Sequence, residues 1–254
     1  MIEVSGLTKT FLGKPAVDNV SFTIRPGDVL GYLGPNGSGK STTVKMLTGL
    51  LEPSGGHIFW RGNNIRHEMD SYKRVLGYVP EEPQLYPYLS GREYLQLVGR
   101  LRGILEKPLN EKVDGLLSLF SLGEHRYSPI SSYSKGMKQK ILITAALLHN
   151  PEILMFDEPL SGLDVTSALV FKNLVQTLAG EGKLILYSSH VLEVVEKICT
   201  RVIILRQGRI VAHDSVQNLR TLLQSPSLED VFSQLAVRED TEKLAGDIVA
   251  IMKA

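Results

Sequence analysis

The sequence has little cysteine, and that shortage excludes two kinds of site. Cys199 is the single cysteine among 254 residues, so the chain can form neither an internal disulfide framework nor a thiolate-rich metal site. This usage fits a reducing, cytosolic compartment. Because Val195, Ile198 and Val202 flank Cys199, we expect a buried and unreactive thiol.

Charge of either sign is not in excess. The chain carries 28 lysines and arginines against 27 aspartates and glutamates, for a net charge of +1. Proteins that bind nucleic acid through its phosphates usually show a basic excess. We therefore expect no nucleic-acid partner, although an uneven distribution of charge over the surface leaves that alternative open.

Long apolar runs are missing as well. The longest, such as residues 153–156 and 202–205, span about four residues, whereas a helix that crosses a bilayer needs about 20. The first residues, from Met1 to Val4, show no basic region followed by an apolar segment, which argues against a secretory signal. We expect a chain that does not cross a bilayer.

The apolar residues that are present alternate between short runs and helical patterns. This alternation predicts an α/β fold with a mainly parallel sheet. Runs at residues 2–7, 16–24 and 55–60 predict a small antiparallel layer near the start of the chain. Strands of the main core are predicted at residues 29–33, 153–156, 183–188 and 201–205.

A helical insert is predicted from about residue 88 to 150. Ser90 and Glu93 have the spacing of a capping box. One helical face is then predicted from Tyr94, Leu97, Val98 and Leu101. After Pro226 a second stripe comprises Leu228, Val231, Phe232 and Leu235, and a last helix, weakened by Gly246, would carry Leu244, Ile248 and Ile251.

A glycine-rich loop follows the predicted strand 29–33. Residues 34–41 fit the pattern G-x-x-x-x-G-K-[ST], in which glycines let the backbone wrap a phosphate and the following helix N-terminus faces the anion. Lys40 can reach the β and γ phosphates, and the Ser41 hydroxyl can bind Mg²⁺. The alternative, an incidental glycine-rich turn, is disfavoured by the flanking strand and helix, whose buried face we predict from Val44, Leu47, Leu50 and Leu51. The predicted phosphate contacts are Gly34, Pro35, Asn36, Gly37, Ser38, Gly39, Lys40, Ser41 and Thr42.

Two adjacent carboxylates end another predicted strand. Asp157 would hold Mg²⁺, and Glu158 would orient and polarise an attacking water. Side chains alternate along a strand, but a turn at its end lets both reach one site. Taken alone, a solvated acidic turn is an equal alternative; the phosphate loop favours the catalytic interpretation.

Three further segments resemble the ATP-binding cassette (ABC) ATPases. Residues 133–139, Tyr-Ser-Lys-Gly-Met-Lys-Gln, resemble the family's signature motif, residues 161–164 resemble its aspartate loop, and His190 matches its switch histidine. Motif order and spacing agree from Ile2 to about Asp214. A P-loop kinase or GTPase would lack these three segments.

The resemblance implies a fold and a catalytic cycle. The fold is a P-loop NTPase with a RecA-like core and an antiparallel β layer (1–87 and 151–220), an inserted helical subdomain (88–150) and a C-terminal tail (221–254). The chain would bind ATP and Mg²⁺ in a head-to-tail dimer with a second copy or a paralogous cassette. Lys40, Glu158 and His190 would be catalytic. Ser134, Gly136 and Asp164 would act across the interface, although capping of helices or turns is a competing role for Ser134 and Asp164.

Some positions have a competing interpretation or depart from the family pattern. Phe11 takes the place of the aromatic that stacks on adenine, with a core phenylalanine as the alternative. Glu81 replaces the usual glutamine and could serve Mg²⁺ with Ser41 and Asp157, with Glu82 as a competing candidate. These variants and the altered signature, with Lys135 in place of a common glycine, resemble cassettes of small two-component exporters.

The resemblance favours the ATPase subunit of a transporter at the cytoplasmic face of the membrane. Integral membrane subunits would be its partners, docking near residues 85–89 unless those residues pack beneath the helical insert. Export is the favoured direction. The alternative is a soluble mechanochemical ABC ATPase acting on nucleic acid or ribosomes, which would usually carry a coiled coil or two cassettes.

Overall fold

The computed structural model describes residues 1–225, 227–236 and 251–252, and in that part the chain forms two sheets. The smaller sheet is antiparallel with strand order β2-β1-β4-β5, which confirms the predicted N-terminal layer. Its strands are β1 (Ile2–Phe11), β2 (Lys14–Ile24), β4 (Gly55–Trp60) and β5 (Asn63–Asn64).

The larger sheet has strand order β10-β9-β3-β8-β7-β6. Pairing is parallel from β9 to β6, and only β10 runs antiparallel at the edge. The predicted mainly parallel α/β fold is therefore confirmed. Its strands are β3 (Val29–Leu33), β6 (Leu76–Val79), β7 (Ile153–Asp157), β8 (Leu184–Ser188), β9 (Arg201–Arg206) and β10 (Arg209–Asp214).

Helices cover both faces of this sheet and form a separate layer beside it. They are α1 (Lys40–Leu47), α2 (Met69–Arg74), α3 (Gly91–Leu101), α4 (Glu106–Leu119), α5 (Lys135–Leu147), α6 (Val165–Gly180), α7 (Leu192–Ile198), α8 (Val216–Leu222) and α9 (Leu228–Ala236). Short 3₁₀ helices lie at Gly123–His125 and Ile130–Ser132. Among the helices described, none combines the length and the apolar composition needed to span a membrane.

The main strands are buried on both faces, so each contributes to two cores. Along β7, Ile153 and Met155 join the core that faces the antiparallel sheet, whereas Leu154 and Phe156 join the opposite core. This is the alternation expected of a strand. A third core lies among α3, α4 and α5.

Helix α3 begins as predicted but buries a different face. Ser90 and Glu93 form the complete capping box. Leu95 is fully buried, however, whereas Leu101 is 79% exposed. The predicted face was wrong at Leu101, although Tyr94 packs partly against the core among α3, α4 and α5. Helix α3 also approaches α4 at Gly99, where a Cβ atom would collide with the Leu109 side chain. A glycine contributes nothing to an apolar pattern.

Helix α1 differs from its prediction in a similar way. Val44 and Leu47 are buried as expected, but α1 ends at Leu47 and Leu50 lies exposed beyond it. Gly49 follows with a φ of +68°, a left-handed conformation that suits glycine and ends the helix. Leu51 nevertheless packs partly against the same core, so the predicted apolar face was wrong at Leu50 alone.

The C-terminal stripe is confirmed on α9, where Leu228 and Val231 are fully buried and Phe232 and Leu235 pack partly against the same core. Pro226, Leu244, Gly246 and Ile248 lie outside the described residues. Cys199 is half-buried rather than fully buried, but burial of its thiol raises the pKa, as expected for an unreactive cysteine.

Candidate functional site

The candidate site is a cleft of about 840 Å³ at the carboxyl ends of three parallel strands. Strand β3 leads into the glycine-rich loop, β7 into the acidic pair and β8 into His190. Such strand ends are where ligands bind in open α/β sheets. The predicted residues that line the cleft are Phe11, Gly34, Pro35, Asn36, Gly37, Gly39, Lys40, Ser41, Thr42, Glu81, Asp157, Glu158 and His190.

The glycine-rich loop is tightly packed against its surroundings. Gly39 has a φ of +104°, and a Cβ atom there would collide with the carbonyl oxygen of Ala16. Ser38 does not line the cleft: its side chain is buried, and its backbone N–H donates to the Pro35 oxygen at 3.1 Å. The loop is thus held by backbone contacts that only glycine permits at position 39.

Lys40 is the first residue of α1 and is held against the loop. Its Nζ donates to the carbonyl oxygens of Gly34, at 2.6 Å, and Pro35, at 3.2 Å. Burial lowers the pKa of Lys40, while the carboxylates of Glu158, Asp157 and Glu81 oppose that shift. An ammonium group therefore stands beside the loop amides and the helix N-terminus, an arrangement suited to phosphate.

Asp157, the last residue of β7, is 2% exposed, and burial raises the pKa of its carboxyl group. Its Oδ1 atom is buried without a hydrogen-bond partner among the described residues. Buried polar atoms normally have partners, so an orphaned oxygen beside Lys40 and Ser41 fits a site that a cation completes.

The donor set suits magnesium rather than an all-protein metal cage. Across the described ranges, no three His, Cys, Asp or Glu side chains gather as ligands. Mg²⁺ is commonly held by one or two carboxylates together with substrate phosphates. Asp157 and Ser41, with the exposed Glu81 on the same cleft, match that pattern.

Glu158 is turned into the cleft by an unusual backbone. Its φ is +49°, and its N–H donates to the Ser188 oxygen at 2.9 Å. A left-handed residue other than glycine costs about 1 kcal/mol and recurs at functional sites. This turn explains how Asp157 and Glu158, although adjacent, both reach one cleft.

The Glu158 carboxylate contacts the end of β8. His190 Nδ1 lies 2.8 Å from Glu158 Oε1, and Ser189 Oγ donates to Glu158 Oε2 at 3.2 Å. The Glu158 side chain is 12% exposed, whereas that of His190 is 73% exposed. A nearly buried base fixed by two partners, one of them open to solvent, can orient a water molecule.

Sequence reasoning missed three residues at this cleft. Ser189 holds Glu158, and Ala16 and Phe232 also line the cleft. A hydroxyl directly before His190 could have identified Ser189. Nothing in the local sequence around Ala16 or Phe232 points to the cleft, because both arrive there only through tertiary packing.

Ser134, Gly136 and Asp164, which we call the signature face, do not line the cleft of the same chain. Ser134 caps α5, where its Oγ accepts from Met137 N–H. Asp164 caps α6 and accepts from both the N–H and the hydroxyl of Ser167; these bonds lower its pKa to about 2. Within the described structure, contacts inside one chain therefore account for each of these three residues.

Gly136 and the aspartate loop are packed together. A Cβ atom at Gly136 would collide with the carbonyl oxygen of Gly162. Lys140, one turn further along α5, lies 3.5 Å from Asp164. The signature and aspartate-loop segments therefore form one continuous surface.

Phe11 is 47% exposed at the end of β1 and lines the cleft, so it is not a core phenylalanine. Lys9 Nζ lies 5.3 Å from the centroid of its ring, within the range of a cation–π contact. An exposed aromatic ring at the cleft can stack on a planar base.

Comparison with known proteins gives consistent findings. A family model described as ABC transporter matches residues 17–161. The ABC transporter ATP-binding protein NatA of Bacillus subtilis (strain 168) is 35% identical over 243 residues, which cover 94% of this chain and 99% of NatA.

Solved structures share the fold. An ATP-binding subunit of an ABC transporter superposes with a TM-score of 0.86 at 32% identity, covering 92% of this chain and 99% of that one. The cassette MJ0796, in a dimeric post-hydrolysis state bound to ADP and Pi, has a TM-score of 0.78 at 24% identity over 85% of this chain and 98% of its own. The second likeness bears on the fold alone.

Proposed function

The chain belongs to the ABC transporter family of ATP-binding cassettes, and we propose that it hydrolyses ATP to drive transport through separate membrane subunits. One observation carries this proposal. The cleft gathers a loop-bound ammonium on Lys40, a buried Asp157 oxygen that lacks a partner among the residues described, and the Glu158–His190 pair. Phosphoryl transfer relies mostly on such positioning and charge stabilisation.

Each polar group has a role in hydrolysis. Lys40 and the loop amides bind the phosphates, exchanging the present carbonyl partners of Lys40 for phosphate oxygens. Glu158 accepts a hydrogen bond from the attacking water, and His190 and Ser189 keep its carboxylate in place. Asp157 and Ser41, with Glu81 nearby, would hold Mg²⁺, which neutralises phosphate charge when bound.

The signature face supports a head-to-tail dimer with a second copy or a paralogous cassette. Ser134 and Asp164 are exposed, and the N-terminus of α5 carries a partial positive charge that attracts anions. Brought against a partner's cleft, this face would contact the γ-phosphate there. ATP binding would then close the dimer and hydrolysis would reopen it.

An exposed aromatic surface beside Glu81 supports docking to a membrane subunit. Tyr86 is 62% exposed and Tyr88 is 92% exposed, whereas Leu85 packs into the cores. Aromatic residues are enriched at protein interfaces. We propose that the chain works at the cytoplasmic face of the membrane. Export is the direction we favour, from the resemblance to small two-component exporters.

Purification of the tagged chain from native membranes tests this function. We expect an integral membrane protein to co-purify, and the double variant Tyr86→Ala/Tyr88→Ala to lose it. Tyr127→Ala, a change at a tyrosine that is 75% exposed elsewhere, is the matched control and should retain it. Recovery of ribosomes or DNA alone would contradict the transporter proposal, and absence of MgATP hydrolysis would contradict the enzymatic one.

A further inference from the structure

Helix α9 contributes an aromatic side chain to the nucleotide cleft. Phe232 lines the cleft together with Phe11 and Lys40. Its neighbours Leu228 and Val231 are fully buried, while Phe232 itself is only partly buried. One ring thus borders the protein core on one side and the cleft on the other.

Hydrogen bonds connect the two ends of α9 to two different segments of the candidate site. At its C-terminal end, Arg206 Nη1 donates to the Leu235 oxygen at 2.9 Å. Arg206 ends β9, and in the turn that follows, Gly208 N–H donates to the Ser38 oxygen of the glycine-rich loop at 3.0 Å. The loop and α9 are therefore connected through the end of one strand.

At the other end, α9 meets the helix that follows His190. Glu196 of α7 accepts from Leu228 N–H at 3.4 Å and pairs with Arg220 of α8 at 2.8 Å. Since α7 begins two residues after His190, α9 is attached to the segment that carries the switch histidine as well as to the loop.

The chemistry of the ring selects the part of the nucleotide that it can contact. A phenyl group has no hydrogen-bond donor, and its face is negatively polarised, so it does not suit phosphate. The phosphates are served by Lys40 and the loop amides. A base or ribose, by contrast, gains from an aromatic neighbour.

We propose that Phe232 contacts the base or ribose of bound ATP, an inference that rests on the proposed function. Bound nucleotide then stabilises helix α9 in its present position. The C-terminal segment then forms part of the nucleotide site. Phe11 and Phe232, from opposite ends of the sequence, both contribute aromatic surface to it.

Equilibrium binding of MgATP and of magnesium tripolyphosphate, which lacks the base and ribose, tests this. Phe232→Ala should weaken MgATP binding about 5- to 10-fold, in line with loss of part of an aromatic–base contact. Tripolyphosphate affinity should change less than about twofold because the phosphate contacts remain. Phe232→Tyr should restore MgATP binding, and Ser233→Ala, a change at an exposed position of the same helix outside the cleft lining, should leave it unchanged.

Hydrogen exchange gives a second readout. Amides of residues 228–236 should exchange more slowly in the wild-type chain with MgATP than with tripolyphosphate. Equal MgATP affinity of wild type and Phe232→Ala, an equal loss in Ser233→Ala, or equal protection by the two ligands would overturn the inference. A wild-type chain that binds no MgATP would instead overturn the proposed function itself.

Discussion

The cleft and the signature face differ in how their polar groups are held. In the cleft, Asp157 is buried, Lys40 is held by backbone oxygens and Glu158 contacts two neighbours. On the signature face, Ser134 and Asp164 are exposed and hydrogen-bond within their own helix caps. One chain therefore presents a cleft whose polar groups converge on one space and a second surface whose polar groups mainly cap helices.

The cleft and the signature face also differ in what shifts the pKa values of their charged groups. In the cleft, burial is the main cause of the shifts: it raises the pKa of Asp157 and lowers that of Lys40. At Asp164, hydrogen bonds from Ser167 lower the pKa instead. Shifts in pKa that burial causes cluster at functional sites, whereas a carboxylate pKa lowered by hydrogen bonds is the ordinary effect of a helix cap.

The largest expected effect is on catalysis in the cleft. Glu158→Gln removes the carboxylate that orients water, so kcat for ATP hydrolysis should fall about 10²- to 10³-fold. MgATP affinity should stay near that of wild type, and the variant should accumulate as an ATP-bound dimer in size-exclusion chromatography. Glu193→Gln, an exposed change near the start of α7, is the control. Parental hydrolysis by Glu158→Gln would refute the role given to Glu158.

Lys40→Ala tests the other charged group of the cleft. Loss of a buried, hydrogen-bonded cation should weaken MgATP binding about 100-fold, measured by calorimetry. Lys45→Ala, on the exposed face of the same helix, should bind normally. Tight binding by Lys40→Ala would mean that the loop is not a phosphate site.

Ser134→Asp separates the two roles of the signature face. Aspartate caps a helix about as well as serine, so the free energy of unfolding should change by less than about 0.5 kcal/mol. A negative charge aimed at a partner's γ-phosphate should weaken ATP-dependent association of the Glu158→Gln chain by about tenfold or more. Sedimentation measures the association, with Ser134→Thr as control. Undiminished association would leave Ser134 with its capping role alone.

Phe11→Ala probes the rim of the cleft. Removing an aromatic partner of the base should weaken MgATP affinity about 5- to 10-fold, measured by equilibrium binding. Leu12→Ala, at the fully exposed neighbour, should have no effect. An unchanged affinity for Phe11→Ala would remove this ring from the site.

The last prediction concerns stability rather than nucleotide binding, at the end of α5, the helix that Ser134 caps. His149, after α5, donates from Nε2 to the Leu76 oxygen at 3.1 Å, and burial lowers its pKa to about 4. The unfolded chain takes up a proton near pH 6.5 and the folded chain only near pH 4, so stability is lost as pH falls through that window. Relative to His149→Gln, wild type should lose about 2 kcal/mol of unfolding free energy from pH 7 to 4, less than the full shift implies because solvent reaches part of the imidazole.

Denaturant titration at several pH values measures this difference. His125→Gln, a change at an exposed histidine, should keep the pH dependence of wild type. A His149→Gln chain with the wild-type pH dependence would show that His149 does not contribute to it.

Sequence patterns predicted best where the signal is local. The apolar run 29–33 is β3, and the spacing of Ser90 and Glu93 produced a complete capping box. The glycine pattern likewise located the loop before α1. In each case a few consecutive residues carry the physical cause, whether strand burial, capping or backbone freedom.

Prediction failed where a distant partner decides the outcome. The buried face of α3 depends on the contact between Gly99 and Leu109, and a glycine has no apolar signal. The arrival of Phe232 at the cleft depends on how α9 packs on β9 and α7. Neither contact is encoded by spacing within its own segment.

The sequence alone determined the α/β class, the loop, the acidic pair and the family, because these depend on residue type and short-range order. Only the tertiary structure decided that His190 and Ser189 hold Glu158, that an Asp157 oxygen has no partner in the described part of the chain, and that the signature face lies outside the cleft. Strand order and helix packing bring together residues far apart in the chain, and the burial that shifts the pKa values of Lys40 and Asp157 exists only after folding.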